Sequence, residues 1–142
     1  MFVRQISVFA ENRSGAILEI ASVLRDAGIN IRALCIADTA DFGVVRFIAS
    51  NTDAALAALR DHGLTAMENP VMAISMEDKP GAFCGILEAL HEKSITIEYS
   101  YAYVNPHGDG ATVIMKCRKQ DMAAELIRSH GYKLLTQEET NG

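Results

Sequence analysis

The sequence predicts an α+β chain built from two copies of one βαββαβ unit, each an antiparallel sheet with both helices on one face. A repeated segment is the first sign. Glu11-Asn12-Arg13-Ser14-Gly15 and Glu77-Asp78-Lys79-Pro80-Gly81 share the order acidic, polar, basic, turn residue, glycine. The second sign is that the match persists along the chain. Asn30-Ile31 falls over Thr96-Ile97, and after a two-residue insertion within Asn105-Pro106-His107-Gly108, Asp53 falls over Asp121 and His62-Gly63 over His130-Gly131. The third sign is a hydrophobic period that switches between 2 and 3.6 at matching places in both copies.

Each element follows from local chemistry. Residues 5–10 alternate, with Ile6, Val8 and Ala10 on one face, and Met72, Ile74 and Met76 repeat that face. Both segments read as strands. The first helices are expected near 15–27 and 81–93. Ile17, Ile20, Ala21 and Leu24, and in the second copy Phe83, Ile86, Leu87 and Leu90, are spaced i, i+3, i+4, i+7 as one apolar stripe. Gly28 suits the first helix end. Second strands are expected near 29–38 and 95–104, and third strands near 44–50 and 112–117. Hairpin turns are read at Asp41-Phe42-Gly43 and Asp109-Gly110. Second helices start near Asn51-Thr52-Asp53 and Gln120-Asp121, where Asn and Asp cap free N–H groups and favour the helix dipole. Final strands are expected near 64–68 and 132–137. Strand, helix, strand, strand, helix, strand is the ferredoxin-like pattern. The expected domains are 1–69 and 70–142, with Pro70 as a short, stiff connection. Each copy is small for an independent core, so the bare sheet face and edges call for a partner.

Composition narrows the function classes. A net charge of −5 argues against nucleic acid, which needs clustered Lys and Arg. No stretch approaches the ~18 apolar residues of a membrane helix. The N-terminus shows no basic segment followed by an apolar run, so no signal peptide is expected. Cys35, Cys84 and Cys117 are widely spaced in apolar runs and form no CxxC or Cys/His cluster. Buried, reduced thiols of a cytoplasmic protein are expected, without metal or cofactor.

The turn after the first strand carries the chemistry. A strand ends there, glycine lets the chain turn tightly, and a helix begins with N–H groups that have no internal acceptor. Those groups and the helix dipole favour an anion such as a free carboxylate. Asn12 or Asp78, just before the turn, offers an acceptor for an ammonium group. The two halves together match an α-amino acid. The plain alternative is that Asn12 and Asp78 only cap their helices.

Glu-Asn-Arg-Ser-Gly-Ala-Ile-Leu after a strand, with Asp26-Ala27-Gly28-Ile29-Asn30-Ile31 closing the helix, resembles an ACT domain, and most closely the serine-sensing domain of phosphoglycerate dehydrogenase. The resemblance covers the whole chain twice. The second copy supplies, as Asp78-Lys79-Pro80-Gly81, the proline usual in the family's turn. It implies regulatory binding of a free amino acid, in domains paired side by side, at a seam between the turn of one domain and the second strand of another. Carried over by position, Asn12 and Asn30 match the family's two ligand-binding asparagines, and Gly15 and Ala16 its backbone donors. Arg13, Ser14 and Ile31 flank them. The second copy has Asp78, Lys79, Pro80, Gly81, Ala82 and Thr96 at these places. Ala10 stands where the serine-sensing relative has His, which weakens serine as the ligand.

Tyr99, Tyr101 and Tyr103 share one face of a strand, where Ala33, Cys35 and Ala37 stand in the first copy. The stripe reads foremost as packing, with Tyr99 placed to reach a ligand at the seam. His62 and His130 each precede a glycine at a helix end and read as caps rather than acid–base residues. No nucleophile, P-loop or dinucleotide motif is present. The expected function is an allosteric, homodimeric amino-acid sensor acting on an unknown target protein. The alternatives are a small enzyme on the same fold, although the pattern around Arg13 is wrong for an acylphosphatase cradle, or a ligand-free assembly module.

Overall fold

The structure is a computed structural model that describes residues 2–11, 13–38, 42–105 and 108–141. The chain divides into two compact units. One comprises Arg4–Pro70 with Thr140–Gly142, and the other Val71–Glu139 with Met1–Val3. We call them the N-terminal and C-terminal units.

The elements in chain order are β1 (Val3–Glu11), α1 (Ala16–Asp26), β2 (Ile31–Asp38), β3 (Phe42–Ala49), α2 (Thr52–Asp61) and β4 (Ala66–Met76). They continue with α3 (Ala82–His91), β5 (Ile97–Val104), β6 (Ala111–Cys117), α4 (Gln120–Ser129) and α5 (Gln137–Asn141). In the N-terminal unit the strand order is β2-β3-β1, with the first part of β4 beside β1. The βαββαβ pattern expected from the repeat is therefore the observed one. Ile6, Val8 and Ala10 of β1 stand opposite Phe47, Val45 and Gly43 of β3. They form one face, covered by Ile20, Val23 and Leu24 of α1 and by Ala55, Leu56 and Leu59 of α2. The C-terminal unit repeats the plan. Met72 and Ile74 of β4 and Val113, Met115 and Cys117 of β6 pack against Ile86 and Leu90 of α3 and Ala123, Ala124 and Ile127 of α4. Each core is apolar area withdrawn from water, at roughly 25 cal/mol per Å².

Several expectations need correction. The final strand of the first copy and the first strand of the second are one continuous strand, β4, and Pro70 lies inside it rather than in a connection. Proline lacks an N–H and belongs at edges, and within the N-terminal unit β4 is an edge strand. The final strand expected at 132–137 is reduced to one bridge, Ile74 to Leu134, flanked by Ser75 N–H to Lys133 O at 2.9 Å and Leu135 N–H to Ala73 O at 2.7 Å. Gln137 already begins α5. Phe42 and Gly43 belong to β3, not to a hairpin turn, and Asp41 lies outside the described residues.

The helix stripes are also rotated. α1 buries Ala16, Ile20, Val23 and Leu24, while Ile17 remains 37% exposed; α3 buries Ile86, Ala89 and Leu90, while Phe83 remains 40% exposed. Both helices carry apolar residues around more than one stripe, so spacing alone permits two faces. The thiols differ from one another as well. Cys117 is buried, Cys35 half-buried and Cys84 exposed, and all are free.

A repeated irregularity sets the second strands. The pairing of β2 with β3 shifts between Ile31 and Ala33, and that of β5 with β6 shifts between Ile97 and Tyr99. One extra residue in a strand turns the following side chains to the other face. Ile97 therefore stands opposite the buried Cys117 on the helix side. Tyr99, Tyr101 and Tyr103 stand opposite Lys116, Ile114 and Thr112 on the face away from the helices, each half-buried.

Candidate functional site

The two turns have the same backbone. Gly15 (φ 86°) and Gly81 (φ 87°) both take the left-handed conformation at the start of a helix, which glycine adopts at little cost. Ala16 N–H donates to Arg13 O at 3.3 Å, and Ala82 N–H to Lys79 O at 3.2 Å. Glu19 N–H donates to Gly15 O at 2.9 Å, and Gly85 N–H to Gly81 O at 3.0 Å. Among the described residues, the intervening N–H groups of Ile17 and Leu18, and of Phe83 and Cys84, find no acceptor. These are the open first-turn donors that favour an anion.

The side chains differ. Asn12 lies outside the described residues. Asp78, its counterpart, makes no hydrogen bond or ion pair among the described residues, so it does not cap α3. In the N-terminal unit Arg13 Nε meets Glu11 Oε2 at 3.1 Å and Arg13 Nη2 meets Glu19 Oε2 at 2.7 Å. The hydrogen bond Arg13 donates to Glu19, then that to Glu11, raises the Arg13 pKa above its ordinary value. In the C-terminal unit Lys79 Nζ meets Glu77 Oε2 at 2.8 Å, and this hydrogen bond raises its pKa. Gly85 stands where the first copy has Glu19.

A cavity opens beside each turn. In the N-terminal unit it is about 370 Å³, and Glu11, Arg13, Ala16, Glu19, Phe42 and His62 are among its walls. In the C-terminal unit it is about 1020 Å³, with Glu77, Asp78, Lys79, Asp109, His130 and Tyr132 among its walls. Phe9 and Phe42 form an edge-to-face pair in the first, with ring centroids 5.7 Å apart. Sequence reasoning missed Glu19, Phe42, Asp109 and Tyr132. The repeat could have pointed to Glu19 and Tyr132, through the Glu19/Gly85 and Leu64/Tyr132 differences.

The remaining expected site residues lie elsewhere. Asn30 is exposed just before β2, where its N–H donates to Ser50 Oγ and its carbonyl accepts from Ser50 N–H, both at 2.9 Å. Thr96 O likewise accepts from Arg118 N–H at 3.0 Å. Glu11 pairs with Phe42 at one end of β3, while Ile31 pairs with Ala49 at the other. At ~3.4 Å per residue those ends are roughly 24 Å apart. One unit therefore cannot bring its own turn to its own Asn30 and Ile31. A similar separation, roughly 20 Å at ~3.4 Å per residue, holds between Met76, opposite Ala111, and Ile97, opposite Cys117.

The histidines close helix ends. His62 Nδ1 lies 3.0 Å from Ala58 O. Gly63 N–H donates to Arg60 O and Leu64 N–H to Leu59 O, a glycine-based helix stop. Gly131 and Tyr132 repeat these bonds to Arg128 and Ile127, and His130 Nε2 meets Glu92 Oε1 at 3.0 Å. Among the described residues, no group of three His, Cys, Asp or Glu could hold a metal ion. Nor is any described helix long and apolar enough to cross a membrane.

Two βαββαβ units, each with a left-handed glycine opening a helix after its first strand, define a class of small paired α+β modules. Residues 1–141 match the family model described as an ACT domain pair, and the chain belongs to that family. Among solved structures it is similar to protein BT0572 from Bacteroides thetaiotaomicron. The two are 35% identical over 99% of this chain and 96% of that one, with a TM-score of 0.92. The regulatory subunit of aspartate kinase from Thermus thermophilus shares the fold, at 15% identity over 90% of this chain and 92% of that one, with a TM-score of 0.63. That from Thermus flavus does so at 14% identity over 89% and 91%, with a TM-score of 0.61. Comparison with curated proteins gives no match.

Proposed function

We propose that this ACT domain pair is a regulatory protein that binds a free amino acid, with the turn of the N-terminal unit as the principal cradle. The observation that carries the reading is the pair of N–H groups at Ile17 and Leu18 that find no acceptor among the described residues, behind a left-handed Gly15. They suit a carboxylate, and Asn12 suits the ammonium group. Arg13, Ser14 and Ala16 complete the turn. Since Asn30 and Ile31 lie at the far end of their own unit, a turn and a second strand meet only when drawn from different ACT units. Asp78, Lys79, Pro80, Gly81, Ala82, Thr96 and Tyr99 are the corresponding positions of the C-terminal unit. Asp78 carries a charge where Asn12 is neutral, so the two cradles differ in affinity. Binding stabilises one arrangement of ACT units, in a homodimeric cytoplasmic protein, and a separate partner reads that arrangement. A ligand shifts such an equilibrium only by its difference in affinity between the states, typically about 1–3 kcal/mol.

A thermal-shift screen of the full chain against the twenty amino acids tests this. A ligand at 100 times its dissociation constant stabilises by about 2.7 kcal/mol, a rise that is readily read. Asn12→Ala should then weaken the shift. If no amino acid raises the melting temperature, the reading fails.

A further inference from the structure

We infer that Arg13 is the side chain that takes the carboxylate of the bound amino acid, and that Glu19 is a built-in competitor holding its place. The inference rests on the amino-acid reading above and adds a residue pair to it.

Arg13 is bonded on both sides, to Glu11 at 3.1 Å and to Glu19 at 2.7 Å. All three residues line the same cavity. One cation shared by two carboxylates leaves the group with net charge −1, which repels an incoming carboxylate. Glu19 sits one helical turn beyond Gly15, and its own N–H is bonded to Gly15 O, so it is fixed to the helix while its side chain reaches back to Arg13. Arg13 and Glu19 are about half exposed, at 50% and 43%. An exposed pair of this kind is held weakly, so a ligand carboxylate can displace it. A guanidinium then offers the ligand a fork of N–H donors that matches a carboxylate.

The second copy shows what the device consists of. Gly85 replaces Glu19, and among the described residues the corresponding cation, Lys79, pairs with Glu77 alone. The strand-end acid and the turn cation are kept in both copies, while the competing carboxylate is present in one. Glu19 is thus a positioning residue that acts through Arg13 and lowers the affinity of the N-terminal cradle.

The test measures binding of each of the twenty amino acids to the full-length protein by calorimetry at low salt, with the carboxamide of any that binds as control. Glu19→Gln should tighten the amino acid about two- to fivefold, the range an exposed ion pair allows, and should not tighten the carboxamide. Arg13→Gln should weaken the amino acid. In the Arg13→Gln background, Glu19→Gln should have no further effect, and at high salt the gain should fade. Equal tightening with and without Arg13 would mean simple charge repulsion and overturn the inference, as would no tightening at all. If no amino acid binds either the wild type or Glu19→Gln, the amino-acid reading itself falls and this inference with it. The melting temperatures of the ligand-free variants separate binding changes from loss of fold.

Discussion

The hydroxyl of Tyr132 lies over the backbone of Gly85, so close that a Cβ on Gly85 would stand 2.5 Å from Tyr132 Oη. The first copy has Glu19 and Leu64 at these two places. The larger side chain after the helix stop goes with the missing side chain on the helix, and the smaller one with a glutamate.

Gly85 lies inside α3, where alanine would ordinarily stabilise by ~1 kcal/mol. Overlap with a ring tip costs more than that, typically 1–3 kcal/mol. Gly85→Ala should therefore destabilise the wild type in urea titration. In a Tyr132→Leu background the same change should become stabilising, by about 0.5–1 kcal/mol. A stabilising Gly85→Ala in the wild type would show that the ring yields freely.

The end of α3 holds Ser94 at φ 51°, where the first copy has Gly28 at φ 72°. Ser94 N–H donates to His91 O at 3.0 Å and Ile95 N–H to Leu90 O at 3.2 Å, so the left-handed residue is required by the helix stop. Glycine adopts that conformation without the penalty a Cβ brings. Ser94→Gly should raise stability by about 0.5–1 kcal/mol and Gly28→Ser should lower it by a similar amount. Chemical denaturation of both variants checks the two signs together.

Arg4 joins Asp53 at 2.7 Å and Glu68 at 2.6 Å. Its hydrogen bond holds each carboxyl below its ordinary pKa, from 3.8 for Asp53 and 4.5 for Glu68. A depressed folded-state pKa contributes stability above the unfolded value, which is lost as pH falls through the folded one. Arg4→Met should therefore lower the melting temperature slightly at neutral pH. The gap from wild type should shrink as pH falls below about 4.5 and through the lowered pKa values of the two carboxyls. Exposure of all three groups keeps the effect small, and salt should reduce it. A gap that stays constant from pH 7 to 3 would assign the loss to packing of the arginine stem.

Burial, and then the nearby Glu98, pushes the Cys117 thiol up to about 11. Only the thiolate reacts, so Cys117 should resist alkylation at pH 7.5 until the protein unfolds. Cys84 is exposed, but its Sγ donates to Glu88 Oε1 at 3.3 Å, and that bond raises its pKa. Glu88→Gln should speed its alkylation, as read by peptide mass mapping. Modification of Cys117 at the rate of Cys84 would contradict the buried placement.

The residues show where sequence reasoning worked and where it stopped. Alternation at Ile6, Val8 and Ala10, the Gly15 and Gly81 turns and the Asn51 cap are local signals. Asn51 caps as read, with its side chain accepting from Ala54 N–H. Such features depend on a few adjacent residues and their hydrogen bonds, so they are legible in the chain. The aligned spacing of the two copies made the fold legible for the same reason.

Tertiary packing decided the rest. The shift after Ile97 aims the tyrosine stripe away from the helices, because one unpaired residue inverts every side chain beyond it. Ile17 and Phe83 are left exposed because several helical stripes were apolar, and the sheet selected one. The ion pair of Arg13 with Glu19 depends on how tightly the turn folds back on the helix. The separation of Asn30 from its own turn depends on the length of β3. The sequence alone therefore determined the two βαββαβ units and the position of the turn. The partners of that turn were decided by contacts between distant segments, which no local pattern encodes.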